Sequence, residues 1–482
     1  MSKQNDILRQ LQPIFYPRSL AVVGTSPDDV FKFNAGNLFF TTLIEFGYSG
    51  QIYPVGKSAG HVCGREIYSS VNDIPGELDY VIAAIPNRLI PQLVEDCGRK
   101  GVKAIHLFAS GFGEIEDSIG LELQQQFLHI ARKYNIRLLG PNCMGVYCPD
   151  SRLTFQIGCP NISGKVGYLS QSGGQSTMGI KEATRRNVYF SKVVSYGNAA
   201  DINECDLIEY FTADPDTEIM TIYIEGTNHG RRLLKVLKEA SLRKPVVIFK
   251  CAATRGGSQA AISHTSAIAG SDLTWDSLIR QTGAIRVYNV QEMFDAVSVL
   301  QRYPALPGLR TLLVGHGGGS CVQASDDCCR AGLELPMLPE RYRKKLMEIY
   351  LTDAGNIFRN PLDINPYWGI DKVKDAFSAV ASWPDIDLIV LLATPEQTPF
   401  MPRQLEFQTT TDTIIEWSRL ADKPVVSAMN VNTIPGDDGI PYQSLSRVIE
   451  AGFPVFPSTT RAATAVARVY RYYRWLEKFR HK

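Results

Sequence analysis

Val166-Gly167-Tyr168-Leu169-Ser170-Gln171-Ser172-Gly173-Gly174-Gln175-Ser176 starts as an apolar, strand-like run and breaks into a turn of small residues. A helix is expected to follow, to about Arg185. In a strand-turn-helix of this kind the first helical amides have no partner within the helix. They point free N–H groups, and the positive end of the helix dipole, at whatever lies above the turn. The turn at Ser172, Gly173 and Gly174 is therefore a candidate phosphate site. The plainer alternative is a tight turn that binds nothing.

The same alternation continues downstream. Strand-like runs recur at Lys192–Ser195, Ile219–Ile224 and Pro245–Phe249. The first runs into Tyr196-Gly197-Asn198-Ala199-Ala200-Asp201, and the second ends at Glu225-Gly226. An acid at a strand end is either solvated or placed for chemistry, and local sequence leaves both open.

Upstream, β-rich runs occur at Leu20–Val23, Gln51–Val55, Tyr80–Ile85, Ala104–Phe108 and Arg137–Leu139, with helical patterns near 35–46, 88–100 and 119–134. Alternation of this type predicts a parallel sheet covered on both faces by crossover helices. Ligands bind such sheets where the strands end. The strand-end residues are Gly24-Thr25-Ser26, Pro54-Val55-Gly56-Lys57, Ile85-Pro86-Asn87 and Ser110-Gly111-Phe112-Gly113-Glu114. Glycine, hydroxyl and amide groups with one lysine suit a nucleotide bearing phosphates. After Gly24 no Gly-x-Gly-x-x-Gly follows, which argues against a nicotinamide cofactor. Gly140-Pro141-Asn142-Cys143-Met144-Gly145 closes this unit, and 146–163 lacks periodicity and reads as an irregular crossing.

A third unit begins after Leu306-Pro307-Gly308. Its run Thr311–Val314 leads into Gly315-His316-Gly317-Gly318-Gly319-Ser320 and then a helix. The shape repeats that of 166–176 and reads as a weak internal repeat. Later strands are expected at Leu388–Leu392, Val425–Ala428 and Pro454–Phe456.

One histidine lies among small residues, in Gln259-Ala260-Ala261-Ile262-Ser263-His264-Thr265-Ser266-Ala267-Ile268-Ala269-Gly270. A loop holding Arg255, Gly256 and Gly257 precedes it, and a helical pattern starts near Ser271. Imidazole is nucleophilic and re-protonatable near neutral pH, so this setting suits a histidine that accepts a group and passes it on. His316, also among glycines, is its rival.

The 482 residues suggest about three domains at roughly 150 residues each. With a net charge of +1 no basic field is available for nucleic acid or an anionic membrane. No run of about 20 apolar residues predicts a membrane span. The polar start Met1-Ser2-Lys3-Gln4 lacks a signal-peptide core. Ten cysteines, none in a Cys-x-x-Cys pair, predict reduced thiols in a cytoplasm and no metal site. Neither a Gly-x4-Gly-Lys-Ser/Thr loop nor a Gly-x-Ser-x-Gly elbow is present.

Taken in order, Gly24-Thr25-Ser26 with Gly36, Tyr53-Pro54-Val55, Gly140-Pro141-Asn142-Cys143, Ser170-Gln171-Ser172-Gly173, Gly197-Asn198-Ala199-Ala200-Asp201, Tyr223-Ile224-Glu225-Gly226, Ser263-His264-Thr265 and Ala269-Gly270-Ser271-Asp272 resemble the α-subunits of NDP-forming (ADP-forming) acyl-CoA synthetases, of the succinyl-CoA synthetase superfamily. Gly317-Gly318-Gly319 and Asn360-Pro361-Leu362-Asp363 extend the likeness into the third unit. Ser266 and Ala267 stand where the family commonly has Gly-Ser, and Gly56 where asparagine is usual.

The resemblance implies an α/β chain of three Rossmann- or flavodoxin-like parallel-sheet domains in tandem. These would be a CoA-binding domain over 1–148, a ligase domain with a phosphohistidine loop over 155–303, and a second flavodoxin-like ligase domain over 308–482. It implies that His264 is the phosphorylated histidine, that Glu225 hydrogen-bonds its ring, and that Ser172, Gly173 and Gly174 bind phosphate. Coenzyme A is expected at Gly24, Thr25, Ser26, Lys57, Ile85, Pro86, Ser110 and Gly111. The substrate pocket is expected at Asn142, Cys143, Gly197 and Asn198. No ATP-grasp domain is legible in the sequence. A separate ATP-grasp β-subunit is therefore expected to carry Mg-ADP/ATP, in an α2β2-type assembly acting on a small carboxylic acid. The alternative is a non-catalytic CoA or acyl-CoA sensor, or a scaffold subunit, on the same fold.

Overall fold

The computed structural model describes residues 3–28, 34–114, 118–262, 270–364, 370–393, 402–429 and 439–480. The chain divides into two compact units. One comprises Met1–Thr184 and Val188–Val290, the other Arg185–Asn187 and Gln291–Lys482.

Among the described residues the first unit holds two large sheets and a small antiparallel ribbon, His61–Val62 against Arg65–Glu66. In the first, the strand order is Gln51–Val55, Ser19–Val23, Tyr80–Ala83, Ala104–Leu107, Arg137–Leu139, and every pairing is parallel. Helices Ala35–Phe46, Ile90–Lys100 and Ser118–Tyr134 make crossovers. Ala21, Val81, Ile105 and Leu138 pack with Leu93, Val94 and Phe127 in one core. The order in which strands are added switches sides between Ser19–Val23 and Tyr80–Ala83, and the carboxyl ends of strands at such a point are where parallel sheets bind ligands. Gly24 sits there at φ +112°, and a Cβ on it would lie 2.3 Å from the Ala84 carbonyl oxygen. Asn34 caps the helix that follows by accepting from the Gly36 and Asn37 amides.

The second sheet runs Ile285–Val287, Val246–Lys250, Ile219–Ile224, Val166–Ser170, Phe190–Ser195, Gly145–Tyr147. Its last strand is antiparallel to Phe190–Ser195 and all the other pairings are parallel. This corrects the expectation that the crossing is irregular from 146 onward. Three residues are too few to show a period of two, yet Val146 and Tyr147 are buried at this edge. The segment around Arg255, Gly256 and Gly257 also departs from the expected loop: Arg255–Ile262 is helical, and the Gly257 amide donates to Thr254 Oγ1 at 3.1 Å. A helix not expected from sequence, Lys3–Phe15, buries Leu11, Ile14 and Phe15, with Phe15 stacked on Tyr210 at 4.6 Å.

Among the described residues the second unit holds one sheet, ordered Ile357–Phe358, Leu362–Asp363, Thr311–Gly315, Leu388–Ala393, Val425–Met429, Val455–Phe456. Only the first pairing is antiparallel. The helix after the glycine turn begins at Gly318, with Gly317 at φ +93°. Asn360 braces this sheet by accepting from the Leu313 amide and donating to the Thr311 and Pro336 carbonyls. Among the described residues no helix is long and apolar enough to cross a membrane.

Candidate active site

A cavity of about 660 Å³ in the first unit opens where strand ends of its two sheets face each other. From the first sheet come Ile85, Pro86, Asn87, Ser110, Asn142, Cys143 and Met144. From the second come Gln171, Ser172, Gly173, Gly174, Gly197, Asn198 and Glu225. The structure thus gathers Ile85, Pro86, Ser110, Asn142, Cys143, Ser172, Gly173, Gly174, Gly197, Asn198 and Glu225 around one space. Gly24, Thr25, Ser26, Lys57 and Gly111 lie outside its lining. Thr25 is buried, Ser26 is held through its backbone by the Asn37 side chain, Lys57 is exposed, and Gly111 accepts from Asn87 Nδ2.

Backbone strain shapes one wall. Asn142 sits at φ +57° and Gly197 at φ +56°. The Asn198 amide donates to the Pro141 carbonyl at 3.0 Å, the Ala200 amide to the Gly140 carbonyl at 3.0 Å, and the Met144 amide to Ser195 Oγ at 3.1 Å. These bonds lock the turn after the first sheet onto the loop after strand Phe190–Ser195. Glu114 adds a clasp: its carboxylate accepts from the Gly111 and Phe112 amides and, at 2.7 Å, from Asn198 Nδ2.

A helix start forms another wall. Gly173–Thr184 is helical from its first glycine, and Ser172 Oγ accepts from the Gln175 amide at 3.4 Å. The Gly173 and Gly174 amides belong to the group that a helix cannot satisfy internally. A Cβ on Gly173 would lie 2.7 Å from Met144 Cγ, so glycine is what allows that contact. The result is an N–H-rich, dipole-favoured seat for an anion.

Glu225 faces the same space. Tyr223 Oη donates to its Oε1 at 3.1 Å, and its amide and that of Gly226 both donate to Gln171 Oε1, at 2.8 and 3.2 Å. Its Oε2 is buried with no hydrogen-bond partner among the described residues. An orphaned carboxylate oxygen is costly unless a ligand or a moving group supplies a donor. Gln171 is only 4% exposed and sets the peptide carrying Glu225. Sequence reasoning missed this role, and the available signal was a polar residue closing an otherwise apolar strand.

His264, Ser266 and Ala267 lie outside the described residues. The described chain leads to this segment through the helix Arg255–Ile262. It leaves through Asp272–Thr282, whose Ser271 cap accepts from the Thr274 amide at 3.2 Å. His316 belongs to the other unit, with its Nδ1 3.6 Å from Asp363 Oδ1. All ten cysteines are free. Burial pushes the Cys143 thiol well up, so it stays a thiol, with its sulfur 3.8 Å from the Leu107 carbonyl. Among the described residues no three metal-ligating side chains cluster.

His106, fully buried behind the Asn142 turn, bonds the Cys143 carbonyl at 2.9 Å through Nε2. Burial lowers its pKa from 6.5 to about 4, so the ring is neutral in the fold. The unfolded chain takes up this proton below about pH 6.5, and the folded chain does so only near pH 4. Stability from this group is therefore present above pH 6.5 and is lost as pH falls toward 4, by about 3 kcal/mol in all. Denaturant midpoints between pH 4 and 7 are expected to show this slope, and His106→Phe to flatten it by one proton. An unchanged slope in the variant would rule out the buried ring as its source.

Residues 18–149 match the family described as CoA binding domain, and residues 163–300 match succinyl-CoA ligase like flavodoxin domain. The α-subunit of acetate–CoA ligase (ADP-forming) I from Pyrococcus furiosus is 33% identical over 481 residues, which cover 98% of this chain and 100% of that one. The chain belongs to the family of ADP-forming acyl-CoA synthetase α-subunits. A solved relative, the dinucleotide-forming acetyl-coenzyme A synthetase 1 of Ca. Korarchaeum cryptofilum in complex with phosphate and ADP, superposes with a TM-score of 0.83 at 30% identity, covering 98% of each chain. The family also includes longer members. The 4-hydroxybutyrate–CoA ligase (ADP-forming) of Nitrosopumilus maritimus is 29% identical over 96% of this chain, which spans 64% of that protein's length.

Proposed function

We propose that the chain is the α-subunit of an ADP-forming acyl-CoA synthetase, interconverting acyl-CoA, ADP and phosphate with carboxylate, ATP and CoA. The observation that carries this reading is Glu225, which lines the same cavity as the Gly173–Gly174 helix start and whose Oε2 is left unsatisfied. One group waits for an N–H donor and the other for an anion. A phosphorylated imidazole presents both.

Phosphate attacks the thioester carbonyl, and the C–S bond breaks to release CoA and leave an acyl phosphate. A ring nitrogen of His264 then attacks phosphorus, and the P–O bond breaks with its electron pair leaving on the carboxylate. Glu225 accepts the hydrogen bond from the other ring nitrogen and so keeps the attacking one unprotonated. ADP oxygen finally displaces the imidazole to give ATP. The Gly173 and Gly174 amides hold phosphoryl oxygens throughout, and this fits a reaction that depends on positioning and charge stabilisation.

Coenzyme A occupies the crevice formed by Gly24, Thr25, Ser26, Lys57, Ile85, Pro86, Ser110 and Gly111. Asn142, Cys143, Gly197 and Asn198 enclose the acyl end. The substrate is a small carboxylic acid. ADP and magnesium sit on an ATP-grasp β-subunit in an α2β2-type assembly, and the ten free thiols suit a cytoplasmic setting.

The test is radiolabelled ATP with Mg²⁺ applied to the complex of both subunits. The expected result is an acid-labile, base-stable phosphate that maps to the peptide containing His264. Binding of CoA without any label would favour a non-catalytic sensor.

A further inference from the structure

Lys250 ends the strand Val246–Lys250 and is 2% exposed. Its ammonium donates to the Cys251 carbonyl and lies 5.3 Å from the centroid of the Trp275 ring. An ammonium has three N–H donors, and among the described residues this one uses a single one. No carboxylate lies within ion-pair distance of it among the described residues.

Two nearby acids are already taken. Asp272 and Asp276 both pair with Arg286, the latter at 3.1 Å from Nη1. Arg286 stands beside Ile248 on the neighbouring strand, two residues before Lys250, and so shares its face of the sheet. Glu225 follows Ile224, the residue paired with Lys250 in the ladder, and its Oε2 is equally unmatched. Burial pushes the Lys250 ammonium toward its neutral form and the repulsion of Arg286 acts in the same direction, while the charges of Asp272 and Glu225 offset this only in part. A buried cation left uncompensated is costly unless an anion arrives to pair with it. Glu225 offers an acceptor and Lys250 offers donors and positive charge, on adjacent strand ends.

We propose that Lys250 is a phosphate-binding residue, whose ammonium pairs with the phosphoryl group that the reaction moves. This rests on the phosphoryl-transfer reading of the site. Lys250 contacts the transferred group's oxygens and leaves CoA binding to the first sheet.

The test compares Lys250→Met, Lys250→Gln and Lys250→Arg with wild type, each in complex with the β-subunit. The rate of labelling from radiolabelled ATP and the KM for inorganic phosphate, with acetyl-CoA and ADP as co-substrates, are read together with CoA affinity by calorimetry. Methionine keeps the packing on Trp275 and removes the charge. It is expected to slow labelling and raise the phosphate KM roughly 10–100-fold, the loss typical of a hydrogen bond to a charged group. CoA affinity is expected to stay unchanged, and arginine to recover part of the loss. Equal labelling and equal phosphate KM in Lys250→Met would overturn the assignment while leaving the carrier reading intact. No label in wild type would overturn the carrier reading itself. If the methionine variant fails to bind CoA, glutamine against arginine decides, and equal loss in both makes Lys250 a packing residue only.

Discussion

Glu225→Gln is expected to slow phosphohistidine formation by a factor on the order of 10²–10⁴, the range seen when a group that orients a catalytic imidazole is neutralised. The substitution hardly changes shape, so the loss comes from donor and acceptor roles. Tyr223 Oη donates to Oε1, which fixes that atom as an acceptor and makes it the amide oxygen of the variant. The NH2 group then falls on the Oε2 side, where the carboxylate has no described partner. In the proposed mechanism it presents a donor where the imidazole N–H needs an acceptor. The ring must turn or shift to its other tautomer, and the attacking nitrogen becomes protonated. Rapid-quench labelling from radiolabelled ATP measures the rate, and calorimetry with CoA supplies the control. CoA affinity should not change, because Glu225 belongs to the second sheet. Labelling within threefold of wild type would remove Glu225 from the chemistry.

The sequence disclosed the strands more readily than their edges. Parallel strands covered on both faces read as unbroken apolar runs, and Val166–Ser170, Ile219–Ile224 and Leu388–Ala393 lie where such runs stand. Gly145–Tyr147 escaped notice because an edge strand of three residues has no pattern of its own. It exists because Val193–Ser195 offers it a ladder. Arg255–Ile262 read as a loop because Gly256 and Gly257 are poor helix formers, and propensity is only a weak prior against tertiary context.

The site divides along the same line. Small residues after a strand single out Ser172, Gly173 and Gly174 in the sequence, and Gly197 and Asn198 follow from the family resemblance. The clasp by Glu114 and the brace by Gln171 were invisible. Asn198 lies 84 residues from Glu114, and Glu225 lies 54 from Gln171, and a side chain's partner at that separation is a property of the fold. His316 shows the converse: like His264 it is set among small residues in the sequence, and in the fold its imidazole neighbours Asp363.

Gly197→Ala is expected to cost about 2–4 kcal/mol of stability and to deform the cavity, combining a left-handed backbone penalty with overpacking. The backbone penalty alone is tolerable here, since Ala199 and Asn142 adopt φ +56° and +57° with side chains in place. What singles out Gly197 is its surroundings. A Cβ would lie 2.3 Å from the Pro141 carbonyl oxygen and 2.4 Å from that of Asn142. Neither oxygen can rotate away as a flexible side chain would, because both belong to the backbone of the turn. The Pro141 oxygen also accepts from the Asn198 amide, so relieving the clash breaks a bond that closes the cavity wall. Denaturant titration measures the first effect and the KM for acyl-CoA the second, and both should move together. At Gly174, which also lines the cavity, a Cβ meets nothing nearer than Ser172 Oγ at 3.9 Å. Gly174→Ala should therefore leave stability within about 0.5 kcal/mol of wild type, and its damage, if any, should fall on phosphate. If Gly197→Ala proved as stable as Gly174→Ala, the turn at Pro141–Asn142 would have to be softer than its hydrogen bonds imply, and that wall would no longer count as a rigid part of the site.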